Sequence, residues 1–154
     1  MAPQKRTFTI CFPTADINAA RRFGLALGFE AGACFDLETT LHLKYDDSLA
    51  IFYGTHSVFS KFLPSGREIS STKTGHEVIV TLTANSREEV DDLIKKGLEA
   101  GGKPGPNMVP EEYADTVYSR SMEDPDGHLY EVVYSDEAAA AAAESVGAGK
   151  KDEN

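Results

Sequence analysis

The sequence lacks the features that would point to nucleic acid, a membrane or a disulfide scaffold. Its 154 residues include only 15 Lys or Arg against 25 Asp or Glu, and a net charge of −10 argues against nucleic-acid binding, which needs a concentrated basic surface. No apolar run approaches the roughly 20 residues of a membrane-spanning helix, and the opening MAPQKRTFTI has no apolar signal core. We therefore expect a soluble, cytoplasmic protein without nucleic-acid or membrane partners, whose two cysteines, Cys11 and Cys34, are thiols in the core.

Common catalytic and nucleotide-binding motifs are also missing. The chain contains no GxGxxG, P-loop, HExxH, GxSxG or CxxC motif, which argues against dinucleotide, nucleotide-triphosphate, zinc-protease, serine-hydrolase and zinc-ribbon sites. The 41% apolar content is ordinary for a globular protein. A chain of this length is typical of one domain and can bury roughly two-thirds of its unfolded surface, so it needs neither a disulfide nor a metal to fold.

The first part of the chain combines short extended runs with one amphipathic helix. β-Branched and aromatic residues at 6–12 predict a strand that ends at Pro13. Asp16 is placed to cap a helix with apolar residues at helical spacing and an exit at Gly28. Extended stretches are then predicted at 29–36, 39–45 and 49–53.

The second part repeats this order. Residues 77–83 predict a strand, a capping box at 86–89 predicts the start of a helix, and a Gly pair at 101–102 ends it. A Pro- and Gly-rich loop at 103–115 precedes two predicted strands, 116–122 and 128–134. Thr14-Ala15-Asp16 and Thr83-Ala84-Asn85 lie 69 residues apart, and both leave a strand and enter a helix. These matches predict an α+β fold made of two β-α-β-β-β modules.

Two segments lie outside the repeat. The connection 54–75 is longer than a compact domain usually contains without a purpose, and its apolar residues suggest that it closes over something. From residue 136 the chain is Ala-rich and charged, which predicts a frayed helix and a partly disordered tail. We thus expect a single domain over 1–135, with modules at about 6–53 and 76–135, a linker at 54–75 and a tail at 136–154.

The duplicated pattern resembles a known superfamily. The helix entry PTADI (13–17) and the closing segment DPDGHLYEV (124–132) are similar to the vicinal oxygen chelate superfamily, which includes glyoxalase I, bleomycin-resistance proteins and extradiol dioxygenases. Over about residues 6–135, the sequence is most similar to its lactoylglutathione lyase-like branch. The resemblance implies that the two modules form a cupped mixed sheet with a central trough, and that two copies of the chain form a homodimer.

The resemblance also implies where a metal would be held. Metal-dependent members carry four inward-facing ligands, on the first and last strands of each module, and the corresponding residues here are Thr9, Ile51, Val78 and Glu131. Only Glu131 is a strong ligand, so we expect no metal and treat this carboxylate as the candidate catalytic residue. Glu131 could instead be a polar anchor paired with Arg120, Tyr118 or a thiol, and a register shift could turn His76 inward.

The other candidates are polar or aromatic residues that could reach the trough. Tyr118 and Arg120 share one face of a strand, which is either the trough, where Arg120 would hold an anionic or polar ligand, or the outer surface. The aromatic residues around the linker either complete the core or form a flap over the trough. The candidate ligand-binding residues are Thr9, Cys11, Tyr53, His56, Phe59, Phe62, His76, Tyr118 and Arg120.

Two functions of different class follow from these expectations. The first is a small-molecule binding or sequestering protein of the glyoxalase/bleomycin-resistance type, with a degenerate metal site and no cofactor. The second is a lyase or isomerase resembling lactoylglutathione lyase, which would use a divalent Zn or Ni ion or would use Glu131 as a metal-free base.

Overall fold

The computed structural model describes residues 6–34 and 36–136, and every structural statement below refers to these ranges. The N-terminal half contains β1 (Phe8–Thr14), α1 (Ile17–Ala26), β2 (Glu30–Ala31), β3 (Thr40–Lys44), β4 (Leu49–Thr55), α2 (His56–Phe59) and a 3-10 turn (Ser60–Phe62). The C-terminal half contains β5 (Ile79–Thr83), α3 (Arg87–Glu99), β6 (Lys103–Pro104), a 3-10 turn (Glu111–Tyr113), β7 (Val117–Glu123) and β8 (Leu129–Ser135). None of the helices in the described ranges has the length and apolar character that a bilayer crossing requires.

The strands form two four-stranded mixed sheets with equivalent order. One sheet runs β1-β4-β3-β2 and the other β5-β8-β7-β6. In each sheet the first and last strands of the half are parallel neighbours, and the remaining neighbours are antiparallel. This confirms the α+β fold with two βαβββ copies that the sequence predicts.

The helix boundaries follow from local chemistry. Asp16 caps α1, because its Oδ1 accepts hydrogen bonds from the N–H groups of Asn18 and Ala19. Ser86 caps α3 in the same way through the N–H of Glu89. Both helices are followed by a glycine in the left-handed region, with φ of +90° at Gly28 and +104° at Gly101.

One apolar core joins the helix-covered faces of both sheets. Phe23 of α1 is fully buried, and its ring meets that of Tyr130 on β8 edge-on at 5.2 Å. Buried side chains from β1, β3, β4, β5, β7 and β8 complete the same cluster. The two halves therefore share their hydrophobic interior.

Each helix also crosses its sheet at a glycine. A Cβ added to Gly24 would lie 2.3 Å from Leu43 Cδ1 on β3, and one added to Gly97 would lie 2.4 Å from Met122 Sδ on β7. The missing side chain lets each helix pack closely on the strand next to the last strand of its half. The two halves thus use the same packing solution.

Some predicted boundaries differ from the observed ones. The predicted strand at 29–36 is reduced to β2, because the C=O of Asp36 accepts both the N–H and the hydroxyl of Thr40 and closes a turn there. The predicted loop 103–115 contains β6, which pairs with the end of β7. Apart from Asp136, the tail expected at 136–154 lies outside the described residues.

Candidate functional site

The turn between β7 and β8 holds the two halves of the chain together. Asp124 is only 1% exposed, and its Oδ1 accepts the N–H groups of Asp126 (2.9 Å) and His128 (2.8 Å). Its Oδ2 accepts the hydroxyl of Tyr53 from β4 at 2.9 Å, and the hydroxyl of Tyr130 lies 2.6 Å from that of Tyr53. We call residues 124–128 the inter-half turn.

The same turn also binds the end of β1. Asp126 accepts the hydroxyl of Thr14 at 2.5 Å and the N–H of Ala15 at 2.7 Å. His128 Nε2 lies 2.8 Å from the C=O of Pro13, and its ring stacks on Phe12 with centroids 4.2 Å apart. The inter-half turn therefore fixes the first half against the second through side chains as well as through the core.

Burial sets the protonation of this network. Burial raises the pKa of the Asp124 carboxyl above its ordinary value, although the neighbouring His128 acts in the opposite direction. Burial also raises the pKa of the Tyr53 and Tyr130 hydroxyls well above their usual value, with the charge of Asp124 contributing. Both phenols therefore stay protonated at neutral pH and can donate.

The inter-half turn contains a possible metal-binding group. One ligand atom from each of Asp124, Asp126 and His128 lies within 4.8 Å of the others, so these side chains could hold an ion. All of them already make hydrogen bonds, and a His128 that donates Nε2–H to the C=O of Pro13 keeps a lone pair for a metal only on Nδ1. An ion would compete with the hydrogen bonds that Asp124 and Asp126 accept from the first half, so the arrangement favours a hydrogen-bonded contact between the halves.

The faces opposite the helices, which we call the open faces, carry the positions that the family resemblance assigns to metal ligands. Thr9 lies seven residues before the cap Asp16, and Ile79 lies seven residues before the cap Ser86. Ile79 is 51% exposed and begins β5, so it replaces Val78 as the counterpart of Thr9.

The remaining two positions lie on the last strands. Cys11 on β1 pairs with Phe52, and the equivalent Thr81 on β5 pairs with Glu131. Phe52 is therefore the counterpart of Glu131, whereas Ile51 is 1% exposed and points into the core. The four positions are occupied by Thr9, Phe52, Ile79 and Glu131.

These four residues do not fit a divalent metal, because only one of them offers a strong ligand. Glu131 is held by two hydroxyl groups: its Oε2 accepts the hydroxyl of Thr81 at 3.0 Å, and its Oε1 accepts that of Ser119 at 2.8 Å. Phe52 and Ile79 have no donor atoms, and a cation beside them would lose most of its coordination. The anchor role expected for Glu131 thus has two hydroxyl partners, not Arg120, Tyr118 or a thiol.

A cavity of about 260 Å³ lies at the end of β1, beneath the segment that connects the halves. It brings together three predicted ligand contacts, Cys11, Phe59 and His76, but not Glu131. Its other lining residues come mainly from the connecting segment and include Leu63, Glu68, Ile69, Ser70, Thr72, Glu77 and Val78. We call this space the β1 cavity.

Cys11 is exposed at this cavity, and Cys34 is half-buried, so the expectation that both thiols lie in the core was wrong. Partial burial nevertheless raises the pKa of the Cys11 thiol above its ordinary value. A raised pKa leaves a smaller fraction of this thiol as the nucleophilic thiolate at a given pH.

The remaining N-terminal candidates do not line the β1 cavity. Thr9 is exposed on β1, and His56 lines a neighbouring cleft. Phe62 is 56% exposed, with its ring 6.0 Å from that of Phe52 and 6.1 Å from that of Phe59. Tyr53 is 1% exposed in the core, where its hydroxyl contacts Asp124.

Tyr118 and Arg120 lie on the helix-covered side of β7, away from Glu131. Tyr118 donates its hydroxyl to Asp91 of α3 at 2.7 Å, which raises the pKa of the phenol. The Arg120 guanidinium lies over the Tyr118 ring, 4.3 Å from its centroid. Both side chains therefore point away from the open face that carries Glu131.

Comparison with known proteins identifies the fold. Neither a protein-family profile nor a curated protein sequence matches the chain. Solved structures do match, at low identity. The chain has the glyoxalase/bleomycin-resistance fold. It is 19% identical to a glyoxalase/bleomycin resistance protein/dioxygenase family enzyme from Burkholderia phytofirmans, with a TM-score of 0.66 over 81% of this chain and 94% of that chain.

Two other solved structures have the same architecture. A hypothetical protein from S. aureus is 21% identical, with a TM-score of 0.67 over 85% of this chain and 94% of that one. A lactoylglutathione lyase from Agrobacterium tumefaciens is 16% identical, with a TM-score of 0.58 over 86% of this chain and 95% of that one. The resemblance inferred from the sequence is thus confirmed at the level of the fold.

Proposed function

We propose that this chain is a small-molecule binding or sequestering protein of the glyoxalase/bleomycin-resistance type, with a degenerate metal site, and that its ligand occupies the β1 cavity. The observation that carries the proposal is the identity of the four open-face positions. Phe52 and Ile79 stand where metal-dependent relatives are expected to have ligands, which leaves Glu131 as a single carboxylate already bound to two hydroxyls.

The lining of the β1 cavity supports this proposal. Phe59, Leu63, Ile69 and Val78 provide apolar walls, and His76 adds a polar group. Ligand sites usually combine a mainly apolar lining with a few polar groups, and most have volumes of roughly 300–1,000 Å³. A cavity of about 260 Å³ therefore suits a compact, largely apolar molecule.

The proposal extends to location and assembly. We place the protein in the cytoplasm and propose that it acts as a homodimer, which is supported by the edge strands of the two sheets, since these could pair with or be covered by another chain. Sedimentation of the purified protein over a range of concentrations tests the dimer.

Binding can be measured with N-phenyl-1-naphthylamine, a neutral probe that fluoresces in apolar sites. Ile69→Trp fills the cavity, whereas Leu37→Trp adds the same side chain at a position that is 69% exposed and distant from it. We expect at least a roughly tenfold weaker dissociation constant for Ile69→Trp and no change for Leu37→Trp. At ten times the dissociation constant, the probe should raise the melting temperature of the wild type by roughly 3–5 °C without metal. Equal binding by all three proteins would exclude the β1 cavity as the ligand site.

The enzyme alternative is tested separately. The purified protein is analysed for metal, incubated with Ni²⁺ or Zn²⁺, and assayed for turnover of the hemithioacetal of methylglyoxal and glutathione. We expect neither a stoichiometric ion nor turnover. If both are present, and Glu131→Gln abolishes the turnover, the chain is a lyase resembling lactoylglutathione lyase and the binding-protein proposal is wrong.

A further inference from the structure

Strand β7 leaves part of one edge without a partner strand. On one side, β8 pairs with it along its whole length. On the other side, β6 pairs only with Met122 and Glu123. Within the described residues, the edge of β7 at 117–120 therefore has no neighbouring strand.

The hydrogen-bond pattern shows which backbone groups point to this edge. Asp124 N–H donates to the C=O of His128, so even-numbered residues of β7 bond to β8. Consistently, the C=O of Ser121 points the other way and accepts the N–H of Gly105. By the same alternation the N–H of Ser119 points away from β8, and no strand within residues 6–34 and 36–136 supplies an acceptor for it. Ser119 is only 1% exposed, and a buried N–H without a partner is costly.

A cleft of about 370 Å³ lies along this edge. Residues 117–120 form one wall, and the loop after β6 forms the other, with Val109 and Ala114 providing apolar surface. Asn107 adds a side-chain amide, and Glu111 adds a carboxylate. We call this space the β7 cleft, and Ser119, whose N–H points to this edge, is one of its lining residues.

Two guanidinium groups flank the β7 cleft. Arg120 lines it, donates Nη1 to the C=O of Ser119 at 2.8 Å and lies over the Tyr118 ring. Arg87 of α3 lies 5.2 Å from the centroid of the same ring. Neither guanidinium forms an ion pair with a carboxylate in the described part of the chain, so most donors of Arg120 are available.

We propose that the β7 cleft binds the carboxylate group of a small apolar acid. One carboxylate oxygen would accept the Ser119 N–H, and the other would accept the Arg120 guanidinium, whose planar fork matches this geometry. The apolar part of the ligand would lie against Val109 and Val117. Glu111 in the wall and Asp91 beside Tyr118 offset the two arginine charges, which favours a single negative charge over a phosphate dianion.

The test uses benzoate as the probe and benzamide as its neutral match. In ¹⁵N–¹H NMR titrations of the full chain, benzoate should shift the amide signals of Val117 and Ser119 saturably, and benzamide should leave them in place. Arg120→Gln should weaken benzoate binding roughly tenfold, as expected for the loss of a charge-assisted hydrogen bond. Arg87→Gln should weaken it less, because Arg87 does not line the cleft.

The control variant is Arg22→Gln, which removes an exposed arginine on α1 without touching the β7 cleft. It should bind benzoate like the wild type. Equal shifts with benzamide, unmoved Val117 and Ser119 signals, or unchanged affinity in Arg120→Gln would each overturn the proposal. Because Arg120 is exposed, the signals of Arg120→Gln away from the substitution should match those of the wild type, which would show that the variant is folded.

Discussion

The N-terminal and C-terminal halves share a backbone plan but differ in what their open faces carry. In the N-terminal half, Cys11, Phe52 and His42 form a row across β1, β4 and β3. In the C-terminal half the equivalent row is Thr81, Glu131 and Ser121. One row is mainly aromatic and the other is hydroxyl and carboxylate.

The helix-covered faces do not differ in this way. Both are apolar, both meet in one core, and both helices cross their sheet at a glycine. Burial selects for apolar side chains wherever a helix covers the sheet, whereas the uncovered face has no such requirement. Similarity of the two halves is therefore a property of the core, and the open faces are where their side chains differ most.

We expect the largest effect on stability from a substitution in the inter-half turn, because this turn holds the two halves together. Asp124→Ala would leave the Tyr53 hydroxyl and two backbone N–H groups without their buried acceptor. We expect a loss of about 3 kcal/mol or more in the free energy of unfolding, measured with urea. Asp92→Ala, which removes an exposed partner of Lys96, should change it by less than about 0.5 kcal/mol. Equal effects of the two substitutions would contradict the role given to the turn.

The two glycine positions at which the helices cross their sheets differ in the side chain that they pack against, Leu43 for Gly24 and Met122 for Gly97. Ala in place of Gly24 or Gly97 gains about 1 kcal/mol of helix propensity, but its Cβ collides with Leu43 or Met122 and costs roughly 1–3 kcal/mol. Because methionine adapts more easily than branched leucine, we expect Gly24→Ala to lose about 1–2 kcal/mol and Gly97→Ala about half as much. Thermal and urea unfolding of both variants check this order, and the reverse order would show that Met122 is the less adaptable neighbour.

The contribution of Glu131 and its two hydroxyl partners to stability can be tested by removing the carboxylate charge. Glu131→Gln keeps the shape, but the amide has a single acceptor oxygen, so one of the two hydroxyls, Thr81 or Ser119, faces an NH2 group that cannot accept its proton. We expect a loss of about 1 kcal/mol in the free energy of unfolding at pH 7. Glu30→Gln on exposed β2 is the matched control and should be neutral. An unchanged free energy of unfolding in Glu131→Gln would mean that these hydrogen bonds do not contribute to stability.

The smallest effect concerns the reactivity of the thiol in the aromatic row. Because the pKa of Cys11 is raised, less thiolate is present at a given pH than in an ordinary thiol. Alkylation of Cys11 by iodoacetamide, followed by mass spectrometry of its peptide, should therefore reach half its maximal rate at a higher pH than N-acetylcysteine does. A lower midpoint would indicate an activated thiol and would favour a catalytic role for the β1 cavity.

The order of elements was predictable from the sequence because it depends on local spacing. Apolar periodicity, the cap at Asp16 and the capping box at Ser86 place α1 and α3 correctly. The strands follow from β-branched and aromatic runs within one or two residues, except for the very short β2 and β6. Short strands have too few residues for a pattern to form.

The candidate site was less predictable, because a shift of one residue exchanges the faces of a strand. Counting from Asn85 instead of the true cap Ser86 gave Val78 in place of Ile79. The family resemblance likewise gave Ile51 in place of Phe52, although Ile51 is a core residue. The site residues are therefore more sensitive to register than the fold is.

The inter-half turn illustrates a second limit. Its segment DPDGH is recognisable as a turn, but its partners Thr14 and Tyr53 lie 112 and 71 residues away from the residues they contact. No local rule identifies such contacts. For the same reason the exposure of Cys11 was missed, since it depends on which face of β1 the helices leave uncovered.

The 2.6 Å contact between the Tyr53 and Tyr130 hydroxyls has a consequence for protein engineering. Each phenol comes from a different copy of the duplicated unit. Tyr53 donates to Asp124, and Tyr130 reaches this carboxylate only through the Tyr53 hydroxyl. A chimera in which the exchanged copy lacks the matching residue would bury one of these groups without its counterpart. Recombination within this architecture must therefore transfer Tyr53, Asp124 and Tyr130 as a set, wherever the crossover is made.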